Sequence, residues 1–169
     1  VTPNQVTFAS FVIALASAAA FAADSSLIGG ALAQSRSILD GVDGDLARAQ
    51  GTATHFGAFW DAVLDRYADA AIIMGMTATA HNSYSNAWLI GVIALTGSLM
   101  VSYTRARSEA SVGVRFHSGL TTLGTRDVRL AVIFLGALVG QILLTLVILA
   151  VLTNAVVISR ILAVFRAVR

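Results

Sequence analysis

The sequence predicts an all-α integral membrane protein, a bundle of six transmembrane helices with both termini on the cytoplasmic side. Of its 169 residues, 57% are hydrophobic and 12% are charged, and the mean hydropathy is +0.80. Soluble domains carry about 25% charged residues, so half that share points to a lipid environment. The chain contains no cysteine, which excludes a disulfide-built scaffold and a zinc–cysteine site.

Helix-length apolar stretches set the predicted number of spans, because a helix needs about 20 mostly apolar residues to cross a bilayer. The first predicted span, Val6 to Ala23, contains no charge. The second and third, 28–50 and 57–80, are also helix-length but carry charged residues within the membrane. The remaining predicted spans cover 88–104, 128–139 and 142–165.

The arginines predict which side of the membrane each loop faces. With six spans, both termini lie on one side, and the three turns on the other side contain no arginine. The terminal side carries Arg48, Arg105, Arg107, Arg115, Arg126, Arg129, Arg166 and Arg169. Basic residues accumulate on the cytoplasmic side of membrane proteins, so both termini are predicted to be cytoplasmic.

Two pairs of aspartates lie within the second and third predicted spans. Asp40 and Asp43 are three residues apart, so they share one helical face. Asp61 and Asp65 are four residues apart and share a face in the same way. Helix rise places all four roughly 6–15 Å below the cytoplasmic edge. A charge at the bilayer centre costs about 2.5–3.5 kcal/mol on insertion scales, which makes these residues candidates for function.

Four carboxylates at matched depth on neighbouring antiparallel helices predict a divalent-metal site that opens toward the cytoplasm. Unpaired, they would repel one another, and one or two hard cations would remove that penalty. Ligation by oxygen alone suits Mg²⁺, Mn²⁺ or Ca²⁺. The alternative is that the acids only pair with Arg36, Arg48 and Arg66, but pairing alone does not call for two face-matched doublets.

In order, the residues spell Asp40-x2-Asp43-Gly44-x2-Ala47-Arg48-x8-Gly57-x3-Asp61-x3-Asp65. This motif resembles the complete signature of the CDP-alcohol phosphotransferases, and the six-span plan extends the likeness over nearly the whole chain. The opening Thr2-Pro3-Asn4 also resembles the family, although no role follows from it. The resemblance implies that an acceptor hydroxyl attacks a CDP-alcohol, forming a phosphodiester and releasing CMP.

The resemblance also assigns site residues. It implies Mg²⁺ or Mn²⁺, as two ions, on Asp40, Asp43, Asp61 and Asp65; a general base at Asp65; and nucleotide binding by Gly44, Arg48 and Gly57. The residue types fit this chemistry, because phosphoryl transfer depends on positioning and charge neutralisation. Two metals can clamp the attacking and leaving oxygens, and a carboxylate can accept the hydroxyl proton.

Two arginine-bearing stretches predict an acceptor that carries its own phosphate. The segment 102–109, with Arg105 and Arg107, ends span four, and Arg126-Asp-Val-Arg129 opens span five. Both resemble the inositol-phosphate branch of the family, and arginine forks bind phosphate bidentately. The alternative is that these arginines only anchor the chain to anionic lipid, which requires no particular spacing.

The segment 59–70 most resembles the di-myo-inositol phosphate phosphate synthases, which use CDP-inositol and inositol phosphate and are often fused behind a cytidylyltransferase domain. We therefore expect residues 1–169 to form the transmembrane transferase domain of a longer chain with such an N-terminal domain. The alternative is a phosphatidylinositol phosphate or archaetidylinositol phosphate synthase with a CDP-lipid donor. Membrane embedding favours the lipid donor and the local sequence favours the soluble one, so the substrate stays open.

Further expectations concern structure and partners. Arg36 and Asp69 lie outside the motif at similar depth and are predicted to pair inside the bundle. We expect a multi-pass protein of the cytoplasmic membrane that contacts lipid and forms a homodimer, with no nucleic-acid partner. The rival class is an ion or proton transporter, but a transporter needs access from both faces, whereas these acids lie toward one side.

Overall fold

The computed structural model describes residues 2–49, 54–116 and 119–169, without the side chains of Pro3 and residues 42–49. In these ranges the chain is all-helical, as predicted, and contains no strand. The helices are α1 (Pro3–Ala22), α2 (Ser26–Ala49), α3 (His55–His81), α4 (Ala87–Val112), α5 (Arg126–Leu138) and α6 (Ile142–Ala167), with a 3₁₀ turn at Gly119–Thr122. Each helix coincides with one of the six predicted spans.

Three of the helices are long and apolar enough to cross a membrane by length and composition: Asn4–Ala22, Ala87–Val112 and Ile142–Ala167. The other three helices do not meet this criterion of length and apolar composition, for two reasons. The second and third helices carry the charged residues of the motif, and α5, with 13 residues, extends only about 20 Å. Six complete spans therefore stay a prediction.

Local sequence sets where the helices begin. The backbone N–H of Thr2 donates to Oε1 of Gln5 at 2.9 Å, which ties the first turn of α1 to its cap. At the start of α3, Oγ1 of Thr54 accepts the backbone N–H of Gly57 at 3.0 Å, so Thr54 caps this helix. This cap fixes the backbone beside the last glycine of the motif.

The bundle is held by apolar contacts between helices that are adjacent in sequence and between helices that are distant. Helix α1 packs on α2 and α3, α2 packs on α5, and α4 packs on α6. The core contains fully buried Phe21, Ile72, Met76 and Leu146. Helices α1 and α3 approach closely at Gly75, where an added Cβ would overlap the carbonyl group of Ala18.

Both ends of the chain lie at the same end of the bundle. Near the N-terminus, the side chain of Asn4 lies beside Gly57 at the start of α3. Near the C-terminus, Arg160 of α6 lines the same cleft as Asp61. The C-terminal half of α2, the start of α3 and the start of α5 meet at this end, and they carry the site described next.

Candidate active site

Three of the four predicted metal ligands come together at this end of the bundle. Asp40 of α2 and Asp61 and Asp65 of α3 each place one carboxylate oxygen within 4.8 Å of the others. The four-residue spacing puts Asp61 and Asp65 on one face of α3, and α2 runs alongside that face. Oxygen ligands at such separations suit a hard divalent cation.

The remaining motif residues are only partly visible. The side chains of Asp43 and Arg48, and the surroundings of Gly44, lie outside the described residues. Gly57 is described, and a Cβ added there would lie 3.1 Å from Oγ1 of Thr54 and 3.3 Å from Oδ1 of Asn4. Asn4, to which the motif assigns no role, therefore lies beside the glycine predicted to bind nucleotide.

Arginines surround the carboxylate cluster. Nη1 of Arg126 donates to both oxygens of Asp65 at 2.7 Å and also contacts Asp40. On the inner side, Nη2 of Arg36 donates to Asp65 at 2.7 Å. Nη2 of Arg66 lies 3.5 Å from the same carboxylate. Asp65 is thus compensated by cations from α2, α3 and α5.

A second ion-pair group lies deeper in the bundle. Arg36 is 1% exposed and Asp69 is 5% exposed, and Nη1 of Arg36 lies 3.7 Å from Oδ1 of Asp69. The predicted pairing of these two residues inside the bundle is therefore confirmed. Asp69 also accepts from Nη2 of Arg129 at 2.6 Å, while Nη1 of Arg129 donates to the carbonyl oxygen of Gly124 at 2.6 Å.

The cluster opens into a cleft of about 470 Å³. Acids and arginines line it together, and the arginines come from four helices, α3 to α6. The charged lining residues are Asp40, Asp61, Asp65, Arg66, Arg105, Glu109, Arg126, Asp127, Arg129 and Arg160. A concave site that carries both carboxylates and guanidinium groups can hold a cation next to a phosphate group.

The four arginines predicted to bind the acceptor differ in position. Arg105, Arg126 and Arg129 all line the cleft, although the guanidinium of Arg129 is paired with Asp69. Arg107 is exposed and is not among the lining residues. Residues two apart on a helix point in different directions, so Arg105 and Arg107 do not face one cleft together.

Arg160 is a cleft residue that the sequence reasoning missed. It is 4% exposed, and its guanidinium donates to the carbonyl oxygens of Thr121 at 2.8 Å and Val101. The guanidinium carbon lies 4.9 Å from the centre of the Phe116 ring. A signal for it existed, because an arginine within a strongly apolar helix is a functional candidate by the same rule that singled out Arg36.

The fold and site together define a helical, membrane-type protein whose cleft suits a divalent cation and phosphate groups. The sequence profile of one family, CDP-alcohol phosphatidyltransferase, matches residues 1–168. The chain belongs to this family, and the predicted resemblance is confirmed.

Relatives point to two kinds of product. The bifunctional IPC transferase and DIPP synthase of Rubrobacter xylanophilus is 48% identical, over 98% of this chain and 37% of that protein. The archaetidylinositol phosphate synthase of Pyrococcus horikoshii is 32% identical, over 95% of this chain and 82% of that protein. The chain thus spans just over a third of the first relative and most of the second.

Solved structures share the fold. The crystal structure of Mycobacterium tuberculosis phosphatidylinositol phosphate synthase with CDP-DAG bound superimposes with a TM-score of 0.85 and 28% identity, covering 98% of this chain and 87% of that one. The same enzyme in complex with manganese and citrate superimposes with a TM-score of 0.81 and 26% identity, covering 98% and 83%.

Proposed function

We propose that this protein transfers a phosphoalcohol group from a CDP-alcohol to an acceptor hydroxyl, forming a phosphodiester and releasing CMP. The observation that carries the proposal is the convergence of Asp40, Asp61 and Asp65 at a cleft that is also lined with arginines. Membership of the CDP-alcohol phosphatidyltransferase family supports it. The transporter alternative has no such support, because the described carboxylate cluster lies at one end of the bundle.

The donor half of the site is formed by α2 and the start of α3. We assign Asp40, Asp43, Asp61 and Asp65 as ligands of Mg²⁺ or Mn²⁺, as two ions, and a relative's structure with manganese supports a metal of this kind. When bound, such ions would neutralise the diphosphate and polarise the attacking and leaving oxygens. We assign the nucleotide and diphosphate to Gly44, Arg48 and Gly57.

The surroundings of Gly57 explain why a glycine stands there. A Cβ would press on Oγ1 of Thr54 and Oδ1 of Asn4, so a larger residue would disturb the cap of α3 and displace Asn4. Asn4 can supply both a donor and an acceptor to whatever binds beside it.

Asp65 is the assigned general base. It is 8% exposed, lines the cleft and is held in place by Arg36 at 2.7 Å. A fixed carboxylate at the cleft surface can accept the proton of the acceptor hydroxyl as its oxygen attacks phosphorus. The proton then resides on Asp65, and CMP departs with the bonding electron pair.

We assign the acceptor phosphate to the cleft residues Arg105 and Arg126; Arg129, whose guanidinium is paired with Asp69, also lines the cleft. Guanidinium groups suit a phosphate because their planar N–H forks match its oxygens. Arg107 faces away from the cleft, and we assign it to anionic lipid at the membrane surface.

For the substrates, we propose CDP-inositol and inositol phosphate, giving di-myo-inositol phosphate phosphate. The 48% identity to the Rubrobacter DIPP synthase supports this choice. A CDP-lipid donor is the second candidate, because the mycobacterial structure holds CDP-DAG and three helices here are long and apolar enough to cross a membrane.

A substrate panel decides between the donors. Purified protein with Mg²⁺ is offered CDP-inositol or CDP-diacylglycerol, each with inositol phosphate, free inositol, glycerol phosphate or serine, and CMP release is measured. CDP-inositol with inositol phosphate should give the highest rate. CMP release only with CDP-diacylglycerol would refute the proposal that CDP-inositol is the donor. Activity only with unphosphorylated acceptors would refute the proposal that the cleft arginines bind a phosphate of the acceptor.

The variant Asp65→Asn tests the base. Asparagine keeps a carbonyl oxygen that can still ligate a metal but cannot accept a proton, so turnover should fall by at least about 100-fold, while CDP binding is largely retained. Asp24→Asn, in the turn between α1 and α2 at the far end of the bundle, is the matched control. Unchanged turnover in Asp65→Asn would remove Asp65 as the base.

We further propose that the protein resides in the cytoplasmic membrane as a homodimer, with both termini in the cytoplasm. The placement of Asn4 and Arg160 at one end of the bundle supports termini on a common side. Labelling of single cysteines introduced beside each terminus, in intact cells and in inverted vesicles, tests the orientation, and chemical cross-linking in membranes tests the dimer.

A further inference from the structure

Arg126 has a different environment from the other arginines of the cleft. Its side chain is 12% exposed, and a single nitrogen, Nη1, carries its contacts to Asp40 and Asp65. Its two other nitrogens, Nε and Nη2, are buried and have no hydrogen-bond partner. Buried guanidinium donors are normally satisfied, so this side chain has donors left over for another ligand.

Nη1 of Arg126 lies against oxygens that the metal site requires. Asp40 and Asp65 are two of the three clustered carboxylates, and both oxygens of Asp65 lie 2.7 Å from Nη1. Mg²⁺ would bind such oxygens at about 2.0–2.1 Å. A guanidinium and a divalent cation repel each other, so each weakens the binding of the other to these carboxylate oxygens.

Arg126 and Arg129 are held differently. Arg126 is the first residue of α5 and contacts its carboxylate partners through Nη1 alone. Arg129, one turn further on, is 4% exposed and uses both terminal nitrogens, on Asp69 and on the carbonyl of Gly124. If Arg126 left, Asp65 would keep Arg36 and Arg66, of which Arg36 lies at 2.7 Å. If Arg129 left, Asp69 would keep the longer contacts with Arg36 at 3.7 Å and Arg66 at 4.0 Å, so Arg126 can leave its partners at the lower cost.

We propose that Arg126 competes with a divalent metal for Asp40 and Asp65 and that the bound metal displaces its guanidinium from both carboxylates. The displaced guanidinium then presents Nε and Nη2 to the cleft, where they bind a phosphate group of the acceptor. Metal binding thereby creates the complete acceptor site, and metal precedes acceptor in the order of binding. This inference rests on the proposed function, because it takes the carboxylate cluster as the metal site.

The first test measures Mn²⁺ affinity of the full chain in detergent, by calorimetry or by the paramagnetic resonance of free Mn²⁺, with no substrate present. Removing a competing cation should tighten binding, so Arg126→Gln should bind Mn²⁺ at least about 5-fold more tightly than wild type, within the range of ordinary coupling between sites. Arg126→Lys keeps the charge and should stay near wild type.

Arg105→Gln is the matched control. It removes one positive charge from the same cleft, but Arg105 is 68% exposed and pairs only loosely with Glu109, at 4.0 Å. Mn²⁺ affinity should change by less than about 2-fold, because an exposed charge is screened by solvent. If Arg126→Gln binds Mn²⁺ no more tightly than Arg105→Gln does, the proposed competition between Arg126 and the metal is refuted.

The variant Asp61→Asn separates failure of the inference from failure of the metal site. It should lose Mn²⁺ binding by at least about 10-fold, since even supporting residues around a metal contribute that much. If wild type binds no Mn²⁺, or Asp61→Asn binds it equally well, the proposed metal site fails. If the metal site stands and Arg126→Gln is unchanged, only the role of Arg126 fails.

The second test measures binding of inorganic phosphate with and without Mn²⁺. Wild type should bind phosphate more tightly when Mn²⁺ is present, and Arg126→Gln should lose most of this gain. If the gain persists in Arg126→Gln, the phosphate binds through the metal alone, and the release of Arg126 toward the acceptor is overturned. Thermal unfolding of each variant confirms that the protein is folded.

Discussion

Replacement of Arg36 by methionine should destabilise the bundle strongly. The side chain is 1% exposed, 2.7 Å from Asp65 and 3.7 Å from Asp69. Methionine fills most of the same volume without the charge, so the main change is electrostatic. Two neighbouring buried carboxylates lose the cation that lies between them.

The size of the loss in stability depends on which buried charges remain after the substitution. Interhelical hydrogen bonds in membrane proteins contribute only about 0.6 kcal/mol on average, whereas removing one member of a buried ion pair costs about 3–5 kcal/mol, because a charge is left uncompensated. Arg36→Met is closer to the second case, since Asp65 and Asp69 stay buried, but Asp65 keeps Arg126 and Asp69 keeps Arg129. We therefore expect the free energy of unfolding to fall by about 3 kcal/mol, the lower end of that range.

A double variant isolates the electrostatic cause. The network joins four arginines to three aspartates: Arg36, Arg66, Arg126 and Arg129 with Asp40, Asp65 and Asp69. Arg66 is 33% exposed and lies 3.5 Å or more from its partners, so the other three arginines balance the three aspartates. Among these six residues Arg36→Met leaves one excess negative charge, and adding Asp69→Asn removes that excess. The double variant should therefore be more stable than Arg36→Met alone.

Unfolding in detergent, followed by tryptophan fluorescence in metal-free buffer, measures both variants. Arg115→Met is the control, since this exposed loop arginine should change stability by no more than about 0.5 kcal/mol. Arg36→Met within about 1 kcal/mol of wild type, or a double variant no more stable than the single one, would refute the reasoning.

Two further predictions use packing and metal removal. Gly75→Ala should destabilise by about 1–3 kcal/mol, because the new Cβ would overlap the backbone of Ala18, whose Cα lies 2.9 Å away. Gly41→Ala, with nothing within 4 Å of its Cβ, should stabilise α2 by up to about 1 kcal/mol; equal effects in thermal unfolding would contradict the packing argument. Removal of divalent metal with a chelator should abolish CMP release, and added Mn²⁺ should restore it; activity that survives exhaustive chelation would contradict a metal-dependent site.

Much of the helical framework could be predicted because it depends on local pattern. Each of the six apolar stretches became a helix, since composition over about 20 residues determines whether a segment prefers lipid and helix to water and coil. The three- and four-residue spacings of the aspartates placed them on helical faces for the same local reason. The pairing of Arg36 with Asp69 followed from equal depth on neighbouring helices.

The arginines illustrate what the pattern could not supply. Arg107 belongs to the same stretch as Arg105 but lies on another side of α4. Arg160 belongs to an apolar helix that gave no motif, yet its guanidinium reaches the loop carbonyl of Thr121. Which arginine reaches the carboxylates depends on how α5 and α6 pack, and that packing joins residues up to about ninety positions apart, as with Ser37 and Asp127.

The sequence by itself therefore determined the helices, the family motif and the faces on which the acids lie, because each depends on residues within a few turns of one another. Only the tertiary structure decided that Arg126, among the cleft arginines, pairs with both Asp40 and Asp65, and that Arg129 pairs with Asp69. Cations compete for a limited number of carboxylate oxygens, and the outcome depends on distances set by the whole bundle.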